Sequence, residues 1–256
     1  KYVYVIVKQR FDDDIYVNYS KKEIVSRVED VEHELVREAM HMTGVTSGVE
    51  ITTLADIPSA GSGLGSSSSV TVGLLHALYA YQGHQLSTHE LAERACAIEI
   101  DRCGKPIGKQ DQYIAAFGGI RDLRFGPGDR VIADELGLAA AERRALQQQM
   151  MLFYTGVTRN ANTILREQRD NIESSLTELD QLRDLAGVAV EGLRDGDIDA
   201  VGAALRVSWD VKRKLATAVS NDQIDGAIDR ALAAGAAGAK VSGAGGGGFL
   251  LVMCPI

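Results

Sequence analysis

Residues Pro58 to Val70 read PSAGSGLGSSSSV, glycines and hydroxyls followed at once by the apolar run VTVGLLHALYAY. Glycines allow a sharp turn and close approach to a ligand. A helix N-terminus carries unpaired N–H groups and a partial positive charge. Together they make an anion site, with phosphate its usual tenant. Serine hydroxyls there can cap the helix, bond a phosphate oxygen or ligate Mg²⁺. A plain linker would not run straight into a segment that demands a core. The ordinary P-loop, which ends in Gly-Lys-Ser/Thr, is excluded. The Gly-Lys pairs, Gly104-Lys105 and Gly108-Lys109, are followed by Pro and Gln.

A second stretch, AIEIDRCGKPIGKQDQYIAAFGG, holds Glu99, Asp101 and Asp111 among apolar residues. Phosphoryl transfer needs one carboxylate for Mg²⁺ and another to position or deprotonate a hydroxyl. Asp111 opens a helix, so a simple cap is the alternative. A third stretch, KVSGAGGGGFLLV, contains Gly243-x-Gly245-x-x-Gly248. A dinucleotide fingerprint requires a helix after it. FLLVMC reads as a strand, so a glycine turn beside a nucleotide loop fits better. The histidines at 33, 41, 76, 84 and 89 form no ligand pattern, and there is no Gly-x-Ser-x-Gly elbow.

The elements that must position these stretches follow from periodicity. Strands are expected at Val3–Val7, Ile15–Asn18, Val49–Leu54, Met150–Phe153 and the FLLVMC run. Helices are expected over Val25–Met42, over Val70–Tyr81 beginning at the serines, over Leu91–Asp101, Asp111–Phe117 and Ile224–Ala234. Three more helical segments are expected at about 160–185, 186–207 and 209–219. Asp122–Asp134 reads as loop or hairpin, and Trp209 as core or a cleft wall. Strands lead each half and helices follow, so the class is α+β. A boundary falls near residues 140–150.

Composition narrows the function classes. The chain has 256 residues, 45% hydrophobic and 24% charged, with a formal charge of −8 and no Lys/Arg cluster. That argues against a nucleic-acid surface. No apolar run reaches the ~20 residues of a membrane span, and the first residues lack the features of a signal peptide. Cys96, Cys103 and Cys254 are too few and scattered for a disulfide framework or a zinc site, so a reduced, cytoplasmic protein is expected.

These three stretches, in this order, resemble the GHMP small-molecule kinases. PSAGSGLGSSSS looks like the family's phosphate loop and KVSGAGGGGFLLV like its third motif. GKPIGKQDQYIAAFGG and LFYTGVTRNANTIL are similar to the heptose 7-phosphate kinase branch and to the kinase part of fucokinases. The resemblance implies a two-domain fold: a ribosomal-protein-S5-like N-terminal domain over residues 1–145 and a ferredoxin-like C-terminal domain over 146–256. It also implies that the family's first, sugar-binding motif lies before Lys1 and its last strand or two after Pro255.

The resemblance implies ATP and Mg²⁺ as cofactors and a small-molecule sugar or sugar phosphate as partner, with a homodimer left open. Pro58, Gly61, Gly63, Leu64, Gly65, Ser66, Ser67 and Ser68 would cradle the triphosphate. Ser67 and Glu99 would ligate the metal. Asp111 would engage the acceptor hydroxyl, and Arg159, Ser242, Gly243, Gly245 and Gly246 would face the substrate. Asp101 would be structural. The implied reaction is phosphorylation of an anomeric hydroxyl, of a heptose 7-phosphate first, with a fucose- or galactose-type 1-kinase and a non-catalytic nucleotide-binding regulator as rivals.

Overall fold

The computed structural model describes residues 2–57, 61–157 and 161–255, which fall into two compact units. The first comprises residues up to 60 and 65–119; the second, residues 61–64 and 120–256. The hairpin that follows Gly119 belongs with the second unit.

The first unit is built on four strands, β1 (Val3–Gln9), β2 (Ile15–Asn18), β3 (Lys22–Val25) and β4 (Val49–Ala55), in the order β1-β4-β2-β3. β4 runs antiparallel to β1 and parallel to β2. Alternation sends one face of β2 and β4 inward: Ile15, Val17, Val49 and Ile51 are fully buried. They meet α1 (Glu34–Thr43) and α2 (Ser66–Tyr81), whose Val36, Met40, Leu74, Leu75 and Leu78 complete the core. Gly73 lets α2 close onto β1, since a Cβ there would stand 2.8 Å from Val5 Cγ2.

The helix expected over Val25–Met42 begins only at Glu34. Lys22–Val25 pairs with β2 instead, and Val28–Asp30 makes a single 3₁₀ turn. Ile24, Val28 and Val31 have helical spacing, but the buried Glu23 carboxylate accepts N–H bonds from Glu32 (2.6 Å) and His33 (3.2 Å), fixing the chain in a turn. His33 then caps α1, and Gly44 ends it at φ 73°.

Two further elements carry site residues. α3 (Thr88–Cys96) starts from a Ser87–Glu90 capping box and continues as a π-helical turn over Ala97–Arg102. α4 spans Gln110–Phe117.

The second unit opens with the hairpin β5 (Arg121–Phe125) and β6 (Val131–Glu135), followed by α5 (Ala140–Gln149), which periodicity missed because only Leu146 of it is buried. Its sheet has the antiparallel order β7 (Met150–Tyr154), β9 (Phe249–Met253), β8 (Gly238–Val241). Helices α6 (Ala161–Asp170), α7 (Leu176–Asp195), α8 (Ile198–Lys212) and α9 (Asp222–Ala233) accompany it. The expected break near 185 is absent: α7 runs on to Asp195, Gly196 takes the left-handed conformation, and the Asp197 side chain caps α8. Nor does the helix break near 208; α8 continues to Lys212, with a 3₁₀ turn at Thr217–Val219. Trp209 is a core residue, packed with Ile164, Ile224, Val241 and Leu250. No described helix is long and apolar enough to cross a membrane.

Candidate active site

α2 begins one turn earlier than the apolar run, so Ser66 to Ser69 form its first turn rather than a preceding loop. Its N-cap is Gly65 at φ +68°, a conformation other residues reach only at a cost. A Cβ there would also stand 3.3 Å from Asp111 Cγ, so the Asp111 carboxyl lies against the helix start. Gly65 has no side chain with which to cap this terminus, and no acidic residue occupies its first turn. A helix start, with its partial positive charge, suits an anion.

Ser67 turns its hydroxyl toward Glu99 and donates a hydrogen bond to Oε2. Glu99 sits on the π-helical turn and is 0% exposed. A buried carboxylate is costly unless paired and hydrogen-bonded. Three groups meet that need: the Ser67 hydroxyl, the Gln112 amide at 2.9 Å from Oε1, and the Lys105 ammonium at 3.5 Å from Oε2. Lys105 also lies 3.1 Å from Ser67 Oγ and 3.1 Å from Glu34 Oε1. Asp101, two residues beyond Glu99, is exposed.

The donor set fits Mg²⁺. A hydroxyl and a carboxylate are hard oxygen ligands, and Mg²⁺ usually takes few protein ligands, completing its shell with water and substrate phosphates. No group of three or more His, Cys, Asp or Glu poised to hold a metal occurs among the described residues.

In the second unit, Gly61, Ser62 and Gly63 pack backbone to backbone against the glycine turn between β8 and β9. A Cβ on Gly63 would stand 2.5 Å from Ser242 O, one on Gly243 2.8 Å from Gly63 Cα, and one on Gly248 2.5 Å from Ser62 O. Gly245 and Gly246 lie against Val219: a Cβ on Gly245 would meet Val219 O at 2.6 Å, and Gly246 N–H donates to that same carbonyl at 2.7 Å. Lys212, at the end of α8, donates to the Gly243 carbonyl.

The structure thus gathers Gly65, Ser66, Ser67, Ser68, Glu99 and Asp111 in one unit, and Gly61, Gly63, Leu64, Ser242 and Gly243 in the other. Pro58 and Arg159 lie outside the described residues. Sequence reasoning offers Lys105, with Lys109, only as a cation near Asp111 in the chain, and assigns no role at the site to Gln112 or Lys212; the structure places Lys105 on Ser67 and Glu99. Gln112 reads in sequence as one face of a helix. The partners of Lys105, Gln112 and Lys212 lie 38, 13 and 31 residues away.

Residues 18–119 match the GHMP kinases N terminal domain and residues 189–255 the GHMP kinases C terminal domain. The chain belongs to the GHMP kinase family. It is 34% identical over 200 residues to a D-glycero-alpha-D-manno-heptose 7-phosphate kinase of Campylobacter jejuni, a match covering 77% of this chain and 59% of the relative. It is 28% identical over 234 residues to a bifunctional fucokinase/GDP-fucose pyrophosphorylase of Arabidopsis thaliana, covering 86% of this chain and 22% of that one. This GHMP kinase chain therefore spans less than two thirds of either relative's length. Its fold follows that of a D-glycero-D-manno-heptose 1-phosphate kinase from Bacteriodes thetaiotaomicron, with TM-score 0.79 and 25% identity over 98% of this chain and 76% of the other.

Proposed function

We propose that the chain is the kinase portion of an ATP- and Mg²⁺-dependent enzyme that phosphorylates the anomeric hydroxyl of a sugar or sugar phosphate, D-glycero-D-manno-heptose 7-phosphate first. One observation carries the reading: the buried Glu99 carboxylate meets Ser67 in the first turn of α2, and the Asp111 carboxyl lies against that helix's Gly65 N-cap. Together these are the parts phosphoryl transfer needs: an anion-holding terminus, oxygen ligands for a metal, and a second carboxylate for the acceptor.

The N-terminal turn of α2 holds negative charge by its N–H groups and dipole. Ser67 and Glu99 would hold Mg²⁺, which when bound neutralises charge on the phosphates. Asp111 accepts a hydrogen bond from the sugar hydroxyl and aligns its oxygen for in-line attack. Since transfer is largely dissociative, alignment supplies much of the effect and strong proton abstraction is not required. The Gly243 turn braces residues 61–63 through backbone contact, and Lys212 fixes that turn by bonding its carbonyl. Arg159, outside the described residues, is the cation the sequence offers to a sugar's distal phosphate, since its planar fork donates two bonds to one phosphate.

Similarity to heptose phosphate kinases supports the heptose phosphate, and similarity to the fucokinase supports fucose as the second reading. The test is ADP release from ATP and Mg²⁺ with a panel of sugars and sugar phosphates, with the product's phosphate position read by ³¹P NMR. Heptose 7-phosphate turned over to a 1,7-bisphosphate is the expected result. Turnover of free fucose alone favours the second reading. Nucleotide binding without turnover of any sugar overturns both and leaves a regulator.

A further inference from the structure

We propose that Lys105 is an internal counter-cation that occupies Ser67 and Glu99 until a divalent ion displaces its ammonium onto Glu34. The inference rests on the reading that Ser67 and Glu99 hold the metal, and it concerns how that site is filled and emptied.

The Lys105 ammonium touches both metal-ligand candidates, 3.1 Å from Ser67 Oγ and 3.5 Å from Glu99 Oε2. A divalent ion taking the same two oxygens would stand within a few ångströms of it. Like charges that close repel strongly even at an effective dielectric of about 20. Either the lysine or the metal must leave those oxygens.

A destination for the lysine is already built. Glu34 Oε1 is 3.1 Å from the same ammonium, and the Glu34 side chain is half exposed, whereas that of Lys105 is 16% exposed. The Lys105 backbone is pinned at both ends of its turn: its N–H donates to Glu99 O at 3.0 Å and its carbonyl accepts from Ile107 N–H at 2.9 Å. The exchange therefore needs only side-chain rotation, which lysine's flexible stem and compact charge permit. Before the metal arrives, Lys105 supplies the charge that a buried Glu99 requires. After it arrives, the metal supplies that charge and Lys105 pairs with a carboxylate in water. The loop itself has no P-loop lysine, and this cation comes instead from the segment after the π-helical turn.

The test uses Mn²⁺ alone, titrated into nucleotide-free protein and read by electron paramagnetic resonance. Lys105→Met removes the competitor and is expected to tighten Mn²⁺ binding by on the order of tenfold. Glu34→Gln removes the destination, holds the ammonium on Ser67 and Glu99, and is expected to weaken Mn²⁺ binding severalfold. A lysine with a merely structural role would not move the two variants in opposite directions. Unchanged or weaker Mn²⁺ binding in folded Lys105→Met overturns the proposal. Should Lys105→Met not fold, Glu34→Gln decides, since its side chain is half exposed: unchanged or tighter binding overturns it. Glu99→Gln separates this from the underlying reading. Undiminished Mn²⁺ binding in that variant means the metal is held elsewhere, and the site assignment itself falls.

Discussion

Gln112 donates its amide N–H to Glu99 Oε1 at 2.9 Å, and neither side chain has any exposed surface. Gln112 follows Asp111 directly on α4, so this bond ties the helix that carries the proposed acceptor carboxylate to the carboxylate proposed to hold the metal. The other amide atom, Oε1, has no hydrogen-bond partner among the described residues. Gln112→Leu keeps the volume roughly and removes that donor. Leaving a buried acceptor short of a partner costs about 1–3 kcal/mol, so urea unfolding should shift by that amount, with kcat falling as well. An unchanged midpoint would show that Glu99 is satisfied without Gln112.

Ser67→Ala and Glu99→Gln should each raise the Mg²⁺ concentration needed for half-maximal rate. Ser67 is not the N-cap, which is Gly65, so the alanine variant should retain α2, visible as an unchanged far-ultraviolet circular dichroism spectrum. A normal Mg²⁺ dependence in both variants would remove the metal assignment.

Asp111→Asn preserves shape against Gly65 but removes charge. The expected fall in kcat is on the order of 10²–10⁴, the range for a lost acid–base group, with ATP binding near normal by titration calorimetry. Activity within a few-fold of the wild type would reduce Asp111 to a helix-start residue.

Gly63→Ala tests the brace between residues 61–63 and the glycine turn. Gly63 sits at φ +70°, and the added Cβ would stand 2.5 Å from Ser242 O, a backbone atom that cannot rotate away. The left-handed conformation alone costs an L-residue about 1–2 kcal/mol, and the clash adds to it. Thermal unfolding should show a clear drop in Tm. Wild-type stability would mean that the turn yields freely.

His33 gives the chain a pH-dependent element. Its Nδ1 accepts from Val36 N–H at the start of α1, and burial holds the imidazole below the ordinary value of 6.5. Between the folded and unfolded values the unfolded chain binds more protons, so stability rises with pH across that window. The contribution is complete above 6.5 and is lost as pH falls through 6.5 toward the lowered folded value. His33→Asn keeps a good capping side chain without the titration. Tm measured from about pH 7 to about pH 5 should fall more for the wild type than for this variant; parallel curves would show that His33 titrates without consequence.

What the sequence determined by itself was local. Glycine spacing before an apolar helix marked residues 61–68, and the strand after Gly248 excluded a dinucleotide turn, because both readings depend on residues adjacent in the chain. Alternation likewise marked β1, β2 and β4. The tertiary structure decided what depends on distant partners. β3 could not be told from a helix, since pairing with β2 and the Glu23 carboxylate's hold on Glu32 and His33 outweighed helical spacing. Lys105 and Gln112 entered the site for the same reason. Glu99 became buried beneath α2 and α4, and a buried charge must recruit a cation and hydrogen-bond donors from whichever elements fold around it.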